Sequence, residues 1–177
     1  AAKPAFASVT LKGGGDAVSA ARAVLQTGEF DFAWNMQVED EILARLEKSG
    51  KGRVEVTPTG NIEHIQLNTT DPWVEVDGER SSIKTKHPIL SDPAVRQALS
   101  VLVDKDSIEK HIYGRTGPAT PNFLNNPERF RSKTMKFEFN IDKAADILEK
   151  AGWKKGSDGI REKGGKKLKL VYQTSIN

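Results

Sequence analysis

The sequence predicts an α/β fold. Short alternating runs rich in β-branched and aromatic residues, at 8–12, 30–34 and 53–57, are separated by apolar residues at helical spacing. Glycines and capping residues punctuate the changes of period. The size and composition also suit a packed domain. The chain has 177 residues and 19.4 kDa, with 37% hydrophobic and 29% charged residues, so it can bury a real core.

The first unit reads strand–helix–strand. Ser8-Val9-Thr10-Leu11-Lys12 alternates, and Gly13-Gly14-Gly15 breaks it. Asp16 is placed to cap a helix carrying Val18, Ala21, Val24 and Leu25, with Gly28 at its left-handed end. Phe30-Asp31-Phe32-Ala33-Trp34 follows as an apolar strand, and the connection length suits a right-handed crossover between parallel strands. A second helix sets Ile42, Leu43 and Leu46 on one face and stops at Gly50. Residues 53–57 form the next strand, Pro58-Thr59-Gly60-Asn61 breaks it, and 62–68 alternates again.

Residues 69–93 have little periodicity and contain Pro72, Gly78, Pro88 and Pro93, which predicts a functional loop or insertion. Asp92 and Pro93 then open a helix with Val95, Ala98, Leu99, Leu102 and Val103 inward. Asp104 starts another, carrying Ile108 and Ile112 and ending at Gly114. Residues 114–136 read as loop. Asn140 or Asp142 caps a further helix with Ala144, Ala145, Ile147, Leu148 and Ala151 inward, and Gly152-Trp153 fits its C-cap. A turn at 156–159 and runs at 160–162 and 168–172 predict a hairpin.

Composition and motifs exclude most chemistry. With no cysteine there is no disulfide framework, thiol nucleophile or cysteine-ligated metal. His64, His87 and His111 match no metal spacing, and no serine stands in a nucleophile elbow. Gly13-Gly14-Gly15-Asp16 has neither dinucleotide nor P-loop spacing, and Asp16 would repel phosphate. Glu39/Asp40 and Asp104/Asp106 read as charge at helix starts. No enzyme, cofactor or metal is expected. The net charge is only +3, and the lysines of 154–169 lack interleaved aromatics, so no nucleic acid is expected either.

Two places could contact a ligand. Trp34 and Asn35 lie just past an apolar strand, where open α/β sheets gather ligands. Trp34 could equally be core and Asn35 a turn residue. His64, Gln66 and Asn68 share one face of an alternating segment, with Ile65 and Leu67 on the other. That polar face either lines a cleft or meets water.

Taken in order, the motifs resemble the oligopeptide/dipeptide-binding family of bacterial solute-binding proteins (family 5). Leu25-Gln26-Thr27-Gly28-Glu29-Phe30-Asp31 resembles the family's L-x-x-G-E-x-D segment, and a strand runs into Leu67-Asn68. The stretch from Leu90 through Ser91-Asp92-Pro93-Ala94-Val95-Arg96-Gln97-Ala98-Leu99 is similar to its F-x-D-x-R-V-R-Q-A-L helix. Val103-Asp104-Lys105-Asp106-Ser107-Ile108 follows x-D-R-x-x-I, and Asp142 to Trp153 follows D-x-x-K-A-x-x-L-L-x-x-A-G-[YW].

The resemblance implies a periplasmic-binding-protein-like fold, with parts of two mixed α/β lobes joined by a hinge. Residues 1–58 would end the first lobe as strand–helix–strand–helix–strand. Residues 59–69 would be the hinge-crossing strand, and 70–177 would start the second lobe, with an extended loop at 70–90 longer than the family's usual link. It implies capture of a peptide or other small solute outside the cytoplasmic membrane and delivery to an ABC permease, by a monomer that is periplasmic or membrane-associated. It places Trp34, Asn35, His64, Gln66 and Asn68 at the solute. The opening Ala1-Ala2-Lys3-Pro4-Ala5-Phe6 has no initiator Met or signal run, and an internal piece of a longer chain is expected. The alternative is a stand-alone protein-interaction module using the 69–93 loop.

Overall fold

The computed structural model describes residues 5–174. Its described residues form two compact units, 5–57 with 106–119, and 58–105 with 120–174.

In the first unit, α1 (Ala17–Leu25) starts where Asp16 accepts the Ser19 N–H at 2.8 Å. Helix α2 (Asp40–Glu47) has acidic residues in its first turn but no side-chain cap. Their apolar faces meet in a core of Ala21, Leu25, Val38, Leu43 and Leu46, with Met36 and Val54 packed against it. Residues 106–119 join this unit. Helix α4 (Lys105–Ile108) runs into a π-helical turn (Glu109–Tyr113) and then a 3-10 turn (Gly114–Thr116). The expected single helix from Asp104 to Gly114 is therefore a helix of three changing pitches. The Arg115 guanidinium fixes its end by pairing with Asp40 at 2.8 Å and with Glu47.

The second unit is built on α3 (Pro93–Val101) and α5 (Ile141–Lys150). Asp92 caps α3 through the Ala94 N–H at 2.9 Å, and Asn140 caps α5 through the Lys143 N–H at 2.8 Å. The Asn140 N–H also donates to the Val101 carbonyl, so the end of one helix is tied to the start of the other. Ala98 and Ala144 are small enough to let the helices approach closely, and Ile89, Leu90, Val95, Leu148 and Trp153 fill the rest of the core. Leu102 is left 39% exposed because the helix stops at Val101. Gly152, at φ 88°, turns the chain after α5 so that the Trp153 N–H reaches the Leu148 carbonyl at 2.9 Å.

Two small antiparallel sheets complete this unit. Strands β1 (Glu75–Val76) and β2 (Glu79–Arg80) pair across Asp77-Gly78, both at positive φ, as a primed hairpin turn requires. Strands β3 (Lys154–Lys155), β4 (Arg161–Lys163) and β5 (Lys166–Lys167) form a meander. The predicted hairpin is thus present but shorter, since its ladder stops before Leu168.

The helices at 17–25, 40–47, 93–101 and 141–150 fall where their spacing predicts, whereas the long strands do not form. Among the described residues, 8–12, 30–34, 53–57 and 62–68 carry no ladder, including the expected hinge-crossing strand. Alternation marks which side chains turn inward, but a strand also needs a partner for its backbone groups, and none lies within hydrogen-bonding register here. The loop at 69–93, predicted to be irregular, instead contains the β1–β2 hairpin. No helix among the described residues is long and apolar enough to cross a membrane.

Candidate functional site

Trp34 and Asn35 belong to the first unit. Met36 packs against the core and Val38 is buried within it, which anchors the segment from its far side. Asn35 takes the left-handed conformation at φ 55°, which its short amide side chain tolerates, and its carbonyl accepts the Gln37 N–H at 3.1 Å. Immediately before this reversal, Phe32 and Trp34 stand 76% and 78% exposed. Trp34 is not core. It is a large aromatic surface beside an exposed amide.

His64, Gln66 and Asn68 belong to the second unit and are all exposed. Leu67 packs against the second core, as alternation predicts, but Ile65 does not and is 53% exposed. The His64 ring meets Phe123 edge to face, with centroids 5.8 Å apart. Asn68 is the most constrained of the three. Its Oδ1 accepts both the N–H and the hydroxyl of Thr70, at 2.9 and 2.6 Å, and its Nδ2 donates to Ser81 Oγ at 3.2 Å. It therefore forms an Asx turn that starts the loop and reaches across to the loop's returning arm.

Phe123 was not singled out by the sequence, although an apolar Phe123-Leu124 pair inside a proline- and asparagine-rich loop is a signal worth reading. Both are largely exposed, and Asn122 closes their loop by accepting the Ser132 N–H at 2.8 Å. The exposed Phe123 ring extends the surface beside His64.

Electrostatics do not single out an acid–base centre. Glu47 is held below the usual carboxylate range mainly by the Val54 N–H and then by Arg115. Asp92 is lowered mainly by Lys163, with Trp153 and the Ala94 N–H adding to it. Both are structural ion pairs. No cluster of three or more metal-ligating side chains exists among the described residues. A shallow groove of about 410 Å³ runs over Trp153 between Asp92, Lys163 and Lys166, and another of about 250 Å³ lies between Asp40, Lys110 and His111. Neither includes a residue of the predicted site.

Comparison with known proteins gives this geometry its context. Residues 1–177 match the family described as bacterial extracellular solute-binding proteins, family 5 Middle. The oligopeptide-binding protein AppA of Bacillus subtilis is 35% identical over 96 residues, 51% of this chain and 17% of AppA. The glutathione-binding protein GsiB of Pectobacterium atrosepticum is 29% identical over 136 residues, 76% of this chain and 23% of GsiB. The matched stretches thus span less than a quarter of either relative. The crystal structure of NikZ from Campylobacter jejuni in complex with Ni(L-His) is 38% identical over 46% of this chain and 17% of NikZ, with a TM-score of 0.43. The family consists of binding proteins rather than enzymes, and its fold is of the periplasmic-binding-protein type. With its whole length matched, the chain belongs to the family 5 bacterial extracellular solute-binding proteins.

Proposed function

We propose that the chain is part of a solute receptor of an ABC importer, located in the periplasm or held at the outer face of the cytoplasmic membrane. It captures a peptide and hands it to the permease as a monomer, with no cofactor. The observation that carries the reading is the similarity to AppA, named as an oligopeptide-binding protein. GsiB, named for glutathione, a tripeptide, points to the same chemical class. In this reading residues 1–58 end one lobe, 59–69 cross the hinge and 70–177 open the other lobe, apart from residues 106–119, which belong to the first compact unit.

Trp34, Asn35, His64, Gln66 and Asn68 contact the solute. The exposed Trp34 ring supplies an apolar platform, and the amides of Asn35 and Gln66 match the donors and acceptors of a peptide backbone. Closure of the two lobes around solute signals to the permease, because the closed state gains contacts the open state lacks. Titrating the full-length protein with a peptide library by calorimetry tests this. Saturable binding of a peptide class is expected, and no binding of any peptide overturns the peptide assignment.

A second reading, a protein-interaction module, is favoured by one observation. Trp73, Val74 and Ile83 expose 56%, 49% and 94% of their surface on the 69–93 loop. Deleting 74–87 without loss of a protein partner would remove it.

A further inference from the structure

The loop between Thr69 and Leu90 is closed by a dense set of bonds. Ser81 N–H donates to the Asp71 carbonyl at 3.0 Å, Asp71 N–H to Thr85 Oγ1 at 3.0 Å, and Thr85 Oγ1 to the Ser82 carbonyl at 2.7 Å. At its base the His87 N–H donates to the Thr69 carbonyl at 2.9 Å. The His87 ring is 5% exposed and lies against Trp73, centroids 5.4 Å apart. Its Nδ1 accepts the N–H groups of Ile89 and Leu90, at 3.0 and 2.9 Å. Both donors are backbone N–H groups of buried core residues that lead into α3. An imidazole nitrogen accepts only while it carries no proton, so this geometry requires the neutral ring with its hydrogen on Nε2.

We propose that neutral His87 is a clasp that closes the 69–90 loop onto the approach to α3, and that protonation of its Nδ1 releases the loop. A proton at Nδ1 would face two N–H donors, turning both hydrogen bonds into repulsions and burying a charge. The charged groups around the ring are few. From the loop, Asp71 favours the charged ring, but its Oδ1 is already taken by the N–H groups of Trp73 and Val74 at 2.8 and 3.1 Å. From α3, the Arg96 guanidinium is engaged with the carbonyls of Leu90 and Ser91 at 2.8 and 3.1 Å. Asp92 is engaged with Ala94, Trp153 and Lys163, and Lys86 is exposed beside the ring in sequence.

Burial holds His87 below the usual histidine range, with Asp71 acting the other way. The sign follows. Above about pH 6.5 the ring is neutral with the loop closed or open. As pH falls below that value the open form takes up a proton before the closed form does, so opening becomes progressively easier until the closed-state value is reached. Release would also free Thr70 and Ser81, which orient Asn68. That consequence rests on the solute-contacting role proposed for Asn68, whereas the clasp itself does not.

Amide hydrogen exchange read by NMR on the chain, from about pH 7.5 to about pH 5 and corrected for intrinsic rates, tests the clasp. Opening at Ser81, Ile89 and Leu90 should rise below the free-histidine value, by at most about tenfold per pH unit, and level off once the closed form also takes up the proton. In His87→Asn, which keeps a side-chain acceptor but cannot titrate, the same amides should show no rise. Opening that stays flat in the unmodified chain, or rises equally in the variant, overturns the proposal. The ring resonances give a readout that needs no variant: titration at or above about 6.5 overturns it as well. No solute is used, so failure of the receptor reading would leave these results standing.

Discussion

The Trp153 indole N–H donates to Asp92 Oδ2 at 3.0 Å, joining the end of the α5 motif to the cap of α3 across 61 residues of sequence. The same carboxylate caps α3 through Ala94 and accepts Lys163 Nζ at 2.9 Å, and the lysine also lies 5.9 Å from the Trp153 ring. One side chain thereby caps the start of a helix, satisfies a buried indole and fixes the β4–β5 hairpin.

Asp92→Ala should destabilise the second unit by about 2–4 kcal/mol, from the lost cap and the unsatisfied indole. Asp92→Asn should cost less, since its oxygen still accepts. Urea titration followed by tryptophan fluorescence measures both. Because the folded carboxylate lies below its ordinary value, its contribution is present above about pH 3.9 and lost as pH falls through the folded value. In acid the Asp92→Ala penalty should therefore shrink.

Arg115→Met should loosen residues 106–119 from α2. The guanidinium is 43% exposed, so the loss should be about 1 kcal/mol or less and should diminish in high salt. Glu47 should titrate closer to its ordinary value in this variant yet stay below it, because the Val54 N–H, its largest stabiliser, remains. An NMR titration of the Glu47 carboxylate reads this directly.

Leu43→Ala removes the largest fully buried side chain of the first core and should cost about 2–5 kcal/mol. Exchange of the α1 and α2 amides is the measurement. Protection there should fall while that of α3 and α5 changes little, since the two cores are separate clusters.

Trp34→Ala should leave stability within about 0.5 kcal/mol, because the ring is exposed. In the full-length protein it should weaken peptide binding at least about tenfold, as expected for loss of a stacking or packing anchor. Asn35→Gly should be tolerated, while Asn35→Val should cost about 1–2 kcal/mol at the left-handed position. Calorimetry and thermal melts separate the two effects.

The helices were legible because their signals are local. Asp16 and Asp92 cap as their positions predict, and of the two candidates at the last helix Asn140 takes the role, one residue before the helix begins. The strand expectations failed because alternation is local but pairing is not. Leu67 turns to its core while Ile65, on the same predicted face, does not, and neither lies in a ladder. Of the candidate site, the exposure of Trp34 was one of two readings the residues allowed. The packing of Phe123 on His64, 59 residues away in sequence, left no trace at His64 itself. His87 looked like one unmatched histidine among three, since nothing in its neighbours announces burial.

The bonds among Thr69, Asp71, Ser81, Thr85 and His87 bring the two arms of the loop together well short of its Asp77-Gly78 tip. The arms, rather than the tip, carry the closure, and each doubling of such a tip costs only about 0.6 kcal/mol in chain entropy. The tip is thus a port where a fluorophore-bearing peptide can be grafted. Evolution could likewise lengthen or trim the sequence there without rebuilding the helices beneath.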